Sequence, residues 1–397
     1  MSASGEPGLT LRVATGLSEV DAAAWDALVP PDDPFCEHAF LRALEDSGSA
    51  GPATGFAPTH LLLEDGAGQL RGAVPTWLKS HSYGEYIFDW GIANAARSMG
   101  LRYYPKLAAA VPFTPASGER LLGGAAVHRA LASGLISLAD ATQASSVHVL
   151  FCTAAERDAL AEAGFVPRLT YQFTWERPDE LGPAGERPRA LPGRNDTDFG
   201  RWLETFRAPD RKKVNRERRE AAQLGLEVVT LTGPELTDEH WAALERFYRQ
   251  TVDGKGGHAY LTPEFFARLR GELAHRVVAN LALRDGRAVA GALAFERGRR
   301  LYGRYWGADE SLPTMHFELC YHRFIERALA CGTTRFEAGA QGEHKLKRGL
   351  LPRPTWSAHW IRDPRLRDAV QRGFAEEWRV NTAEIAALEA CGPLKRG

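Results

Sequence analysis

The chain has 397 residues, the length of about two domains at roughly 100–200 residues each. Its 49 basic and 50 acidic side chains leave a net charge of −1, which excludes a uniformly basic nucleic-acid coat protein and leaves local patches for gripping phosphate. No apolar run reaches the roughly 18 residues of a membrane-spanning helix. Met1 to Glu6 carry no apolar export segment, and the five cysteines are scattered with no Cys-x-x-Cys pair, so we expect a cytoplasmic protein with reduced thiols and no metal.

The first strong pattern is a hairpin. Thr59 to Glu64 is an apolar strand, Asp65-Gly66 a turn, and Gly72-Ala73-Val74 leads a second strand into Trp77. An insertion from His81 to about Gly100 follows, dense in rings between His81 and Trp90. Arg102-Tyr103-Tyr104 reads as an aromatic strand and Pro115 to Gly124 as a glycine-bearing turn. Next come a helix over about Ala125–Ala141 and a buried strand, Val147 to Phe151. Arg177 to Arg194 is rich in proline, glycine and charge, which places the boundary there: one domain over 10–178, a linker over 179–195 and a second domain over 196–397.

The second half repeats this order. Asn280 to Gly286 and Gly291 to Phe295 form another hairpin with an Asp-Gly turn, and Tyr302 to Trp306 is an aromatic strand. Phe317, Tyr321, Phe324 and Ala328 mark the apolar face of a helix over about His316–Ala330, with Gly332 at its C-cap and Glu318 and His322 on the opposite side. Arg335-Phe336-Glu337 is the closing strand. A duplicated α/β unit of hairpin, strand, helix and strand is the simplest account.

That order resembles the acyltransferase fold of the GNAT superfamily, and its tandem repetition resembles the Fem-type peptidyltransferases and their FemAB-like relatives. Three stretches carry the likeness: Arg211 to Arg219 with Ala221 to Val228, Ala328 to Gly332 with Phe336 to Gly339, and Leu160 to Phe165. It extends over about residues 20 to 370. The resemblance implies an α/β (α+β) protein with tandem GNAT-like domains, each a mixed central sheet flanked by helices. It also implies an N-acyltransferase that moves an activated acyl group from acyl-CoA to an amine by direct attack. The alternatives are aminoacyl-tRNA-dependent transfer to a cell-wall precursor or small-molecule amine, and a non-catalytic binding module. No cofactor is expected to stay tightly bound: coenzyme A or aminoacyl-tRNA would be a co-substrate, the acceptor a small-molecule or peptide amine, and a tRNA acceptor stem a candidate partner. The usual GNAT phosphate signature is absent in clean form.

Acyl transfer to an amine needs a base for the departing proton and donors for the oxyanion. The candidate bases are Glu318, Glu337, Glu343 and His344, with Glu337 expected to be desolvated inside an apolar strand. Gly118 and Arg120 lie in the turn nearest to a phosphate cradle. From Arg207 to Arg219 there are seven basic and two acidic residues, and Lys212, Arg216 and Arg219 fall on one helical face beside Arg211. Lys345, in the glycine-bounded loop Gly339 to Gly349, is a further anion grip. Tyr86, Glu85, Asp89 and Trp90 of the insertion are candidates for an aromatic pocket around a cationic amine, with Tyr305 on the second aromatic strand.

Overall fold

The computed structural model of the protein describes residues 8–178, 198–254, 259–339 and 342–395. The expected linker over 179–195, and Ala340 and Gln341 of the glycine-bounded loop, lie outside the described residues. The strands are β1 (Thr10–Ala14), β2 (Phe56–Pro58), β3 (His60–Glu64), β4 (Leu70–Val74), β5 (Thr76–Lys79), β6 (Lys106–Ala109) and β7 (Ser146–Cys152), then β8 (Val166–Glu176), β9 (Glu227–Thr232), β10 (Val277–Arg284), β11 (Arg287–Arg297), β12 (Arg300–Ala308), β13 (Arg335–Glu337) and β14 (Leu351–Ile361). The helices are α1 (Ala22–Asp26), α2 (His38–Asp46), α3 (Trp90–Ser98), α4 (Ala125–Ala141), α5 (Ala154–Glu162) and α6 (Asp198–Glu204), then α7 (Ala208–Ala222), α8 (Asp238–Asp253), α9 (Pro263–Glu272), α10 (Met315–Phe317), α11 (Arg323–Cys331) and α12 (Pro364–Ala390).

These elements form two compact units. One takes residues up to Tyr171 together with Tyr260–Phe265 and Pro354–Ala383; the other takes Gln172–Ala259, Phe266–Arg353 and the chain from Glu384. The units are therefore not the two consecutive segments expected from the sequence. Strands β8 and β14 each run through a boundary, and a compositional break in the chain carries no information about strands that return later.

In the first unit the strand order is β2-β5-β6-β7-β14, with β1-β3-β4 as a separate small sheet. The expected hairpin forms, Leu61 opposite Val74 and Leu62 opposite Ala73. Its second strand breaks at Pro75, which lacks an N–H for a continuing ladder, and the chain switches sheets into β5. Strand β6 then pairs antiparallel with β5 and parallel with β7, and α4 forms the crossover between the parallel strands. Leu131, Leu135 and Leu138 of α4 bury against Leu107, Val147 and Val149, which makes the core of this unit. The aromatic strand expected at Arg102–Tyr104 is a coil segment, and the strand starts at Lys106.

The second unit repeats the plan in the order β8-β13-β12-β11-β10-β9. Asp285 and Gly286 both have positive φ, +50° and +79°, the twist of a tight β10–β11 hairpin. Strand β12 pairs antiparallel with β11 and parallel with β13, Leu301 opposite Phe336, and the helical segment 315–331 makes the crossover. That segment ends at Gly332 in the left-handed conformation, as its sequence predicts. It is not one regular helix. A π-turn over Glu318–His322 separates α10 from α11 and rotates the face, so Glu318 and His322, expected on the outer side, are buried.

Candidate active site

In the second unit α7 and the π-turn frame a group of ionisable side chains. Glu217 of α7 points into the unit and takes Arg348 in a bidentate pair at 2.6 and 3.0 Å, with His322 Nε2 at 3.5 Å. Burial opposes its charge, but His322 and Arg348 outweigh burial and hold the carboxyl below its ordinary range. The Arg348 guanidinium also lies 3.4 Å from the Phe317 ring centroid and donates to the His344 carbonyl at 2.5 Å. The short 3-10 helix Glu343–Arg348 is thereby clamped to α7 and to the π-turn.

His344 lies in the first turn of that short helix. Its imidazole is exposed, while its Nε2 lies 2.9 Å from the phenol of buried Tyr321. Burial on its inner side, with the charges of Arg348 and Lys345, lowers the His344 pKa below 6.5, so the ring is neutral at pH 7. Burial pushes Tyr321 up, so it remains a phenol and orients the ring. A neutral, solvent-facing imidazole fixed by a second group is a competent general base. Glu343 beside it is also exposed.

The outer face of α7 is cationic. An open cavity of about 1000 Å³ runs along it, bordered by Lys212, Lys213, Asn215, Arg216, Arg218 and Arg219 among the described residues. Lys212 and Arg219 are exposed and have no carboxylate within salt-bridge distance among the described residues; Arg216 reaches Glu220 only at 3.6 Å. Arg211 on the same helix is half-buried. Glu217 on the inner side of the same helix holds Arg348 of the short helix that carries His344, which ties α7 to the candidate base.

Other expected site residues have structural work. Glu318 is buried between Arg218 and Arg323, each at 3.1 Å, so its carboxylate is committed to ion pairs. Glu337 is buried as expected, but Arg335 stands 3.1 Å away and supplies a counter-charge that the apolar strand pattern concealed. Lys345 is buried and donates to the Gly339 carbonyl at 2.8 Å; burial lowers it to about 8, and it does not present an ammonium to solvent. Tyr305 is half-buried, packed edge-on against Tyr248 of α8.

The glycine turn of the first unit is already filled. Glu156 of α5 accepts from the backbone N–H groups of Arg120 and Leu121 at 2.6 Å each, the groups an anion would need. Arg120 itself is buried, bonded to the carbonyls of Ala116, Glu119 and Leu150. At Gly118 a Cβ would sit 2.4 Å from Asp33 Oδ2. The corresponding strand-to-helix loop of the second unit, Asp309 to Thr314, has no glycine and two acids, Asp309 held by Arg246 and Glu310 by Arg284.

Glu85 and Asp89 do not line an amine pocket either. Both are buried on Lys106, Glu85 at 2.7 Å, and Asp89 also accepts from Tyr103 at 2.5 Å. Lys106 stands directly opposite Lys79 in the β5–β6 ladder, and like charges in that register are unfavourable unless neutralised. Two carboxylates outweigh burial at Lys106 and raise its pKa. Lys79 reaches Glu85 only at 3.9 Å, lies 3.0 Å above the Phe56 ring centroid, and is pulled by burial to about 7. Tyr86 and Trp90 are exposed.

Sequence reasoning missed Tyr321, Glu217, Glu156, Lys79 and Lys106. One had a local signal: Thr153-x-x-Glu156 is a helix capping box, and the structure forms it. The others are defined by partners distant in the chain.

Comparison with known proteins places the chain in a family. No curated protein matches the chain. Among solved structures, the C-terminal domain of a putative lysylphosphatidylglycerol synthetase from Agrobacterium fabrum is similar at 9% identity, covering 90% of this chain and 97% of that one, with a TM-score of 0.54. FemX is similar at 11% identity (89% and 98% covered, TM-score 0.48), and a tandem GNAT protein from the clavulanic acid biosynthesis pathway at 14% (90% and 99%, TM-score 0.44). The fold is mixed α/β, two sheet-and-helix units on one plan, and the Agrobacterium domain shares it. The FemAB-like family model, described as peptidoglycan biosynthesis/recognition, matches residues 16–396, and the chain belongs to that family.

Proposed function

We propose that the protein transfers an aminoacyl or acyl group from a phosphate-rich ester donor to an amine, with the donor gripped along α7. The observation that carries this reading is the cationic face of α7, whose Lys212 and Arg219 have no salt-bridge partner among the described residues and border an open cavity, on the helix whose Glu217 clamps the short helix of His344 through Arg348. Unpaired cations along a helix suit a run of phosphates, as in a tRNA acceptor stem. The family description supports a peptide amine of a cell-wall precursor as acceptor. An acyl-CoA donor is less favoured, because one candidate pyrophosphate loop is occupied by Glu156 and the other is acidic.

In the reaction, the amine lone pair attacks the ester carbonyl, His344 takes the amine proton, and a C–N bond replaces the C–O bond. The same proton then goes to the departing hydroxyl. Tyr321 keeps the imidazole oriented, and neutrality at pH 7 lets it accept.

The test pairs binding with turnover. The double substitution Lys212→Glu with Arg216→Glu is expected to weaken deacylated tRNA binding at least about tenfold and flatten its salt dependence. His344→Gln should leave binding intact and slow transfer by about 10²-fold or more. Turnover with acyl-CoA, unaffected by the α7 substitutions, would refute the donor assignment. Tight tRNA binding without product for any amine would instead indicate a binding module.

A further inference from the structure

The insertion between β5 and β6 has its polarity reversed. Its carboxylates point inward, Glu85 5% and Asp89 2% exposed, while Tyr83, Phe88 and Trp90 point outward at 57%, 48% and 37%. Solvent favours the opposite arrangement, so exposed rings held in this way signal a surface completed by something else.

The rings form one patch. Phe88 and Trp90 stack with centroids 6.5 Å apart, and Tyr83 meets Trp90 edge-on at 5.1 Å. The backbone beneath them is pinned: Lys79 donates to the Tyr83 carbonyl at 2.9 Å and Arg168 to the Phe88 carbonyl at 3.0 Å. Gly84 has φ +81°, and a Cβ there would strike the Phe113 ring at 2.7 Å. The buried ion cluster thus acts as a mount that holds the rings out.

Within the insertion the exposed charge has one sign. Glu85 and Asp89 are the only acids between His81 and Tyr104, and both are buried on Lys106. Arg97 shares the exposed face of α3 with Trp90 and Asn94, Arg102 is exposed beyond the helix, and neither arginine has a carboxylate partner among the described residues.

We propose that this insertion is a docking surface for a bilayer rich in anionic lipid, the rings entering the headgroup layer and Arg97 and Arg102 meeting lipid phosphates. Tyr and Trp suit that depth because each has an apolar body and a polar tip, and basic residues near the surface add electrostatic attraction. A sugar would stack on the same rings, but its hydroxyls need nearby acceptors, and here the carboxylates are turned inward. The contact is peripheral: among the described residues no helix is long and apolar enough to cross a membrane.

The full-length protein should float with vesicles of phosphatidylcholine containing phosphatidylglycerol and stay behind with phosphatidylcholine alone. Added salt should weaken that binding. Phe88→Ser with Trp90→Ser, and separately Arg97→Glu with Arg102→Glu, should each reduce the bound fraction about tenfold with unchanged melting temperature. Lys212→Glu with Arg216→Glu controls for non-specific attraction through α7 and should still float. Failure to bind either vesicle overturns the proposal. So does loss of binding only in the α7 variant, or retention on a peptidoglycan resin through these rings with no vesicle binding.

Discussion

Two regions use charged side chains in opposite ways: the ion cluster under the insertion of the first unit and the outer face of α7 in the second. In the first, Lys79, Lys106, Glu85, Asp89, His148 and His359 are all buried, and burial brings His148 down to about 3, so the two histidines meet as neutral rings with their Nδ1 atoms 2.7 Å apart. In the second, α7 sends Glu217 inward to Arg348 but leaves Lys212, Arg216 and Arg219 in solvent. Charge in the first case is consumed by the fold; on the outer face of α7 it is left in solvent. Substitutions that separate stability from binding therefore test the contrast directly.

The largest expected effect is at Lys106. Lys106→Met leaves Glu85 and Asp89 buried without their main counter-ion, and removing one partner of such a group costs about 3–5 kcal/mol. Calorimetry should show the transition falling by roughly 10 °C or more. A change of a degree or two would mean that the carboxylates find water or protons at little cost, and the mount under the aromatic patch would lose its basis.

Glu156→Ala comes next. It strips the acceptor from the N–H groups of Arg120, Leu121 and Thr153, with an expected loss of about 2–3 kcal/mol. The substitution also empties the turn. If coenzyme A or pyrophosphate restored the melting temperature of this variant, the glycine turn would be an anion site after all, and the contrast with α7 would weaken.

What the sequence made legible follows from range. Local signals were read well: the hairpins around Asp65-Gly66 and Asp285-Gly286, the helix Ala125–Ala141 and the cap at Gly332 all depend on neighbours within a few residues. Periodicity failed where geometry departs from the regular helix. One extra residue in the π-turn carried Glu318 and His322 inside, and Tyr321, read as core, became the partner of His344. His344 is a candidate from its loop alone, but the lowering of its pKa depends on burial and on Arg348. Lys79 and Lys106 look like ordinary strand-end lysines until β5 and β6 are paired.

A subtler effect sharpens the first unit by pH. Lys79 titrates near 7 when folded and near 10.5 when unfolded, so the unfolded chain binds the extra proton between those values. The penalty for burying this ammonium is full below pH 7 and disappears as pH rises towards 10.5. Wild-type stability relative to Lys79→Met should therefore increase across that window, as read by denaturant unfolding at several pH values. A constant difference would mean that the Phe56 ring and Glu85 compensate the buried charge completely.

The smallest stability effect should come from the residues proposed to grip the donor. Lys212→Ala with Arg216→Ala removes exposed cations that make no short ion pair, so the unfolding free energy should move by no more than about 0.5 kcal/mol. In the same protein, affinity for a phosphate-rich donor should drop severalfold, and the slope of log affinity against log salt should shrink by about one for each phosphate that is no longer neutralised. Both readouts are needed, because a folding role would appear in the first and a ligand role in the second. If the double variant lost stability while keeping its salt slope, α7 would be consuming its charge as the buried cluster of the first unit does, and the division between the two regions would collapse.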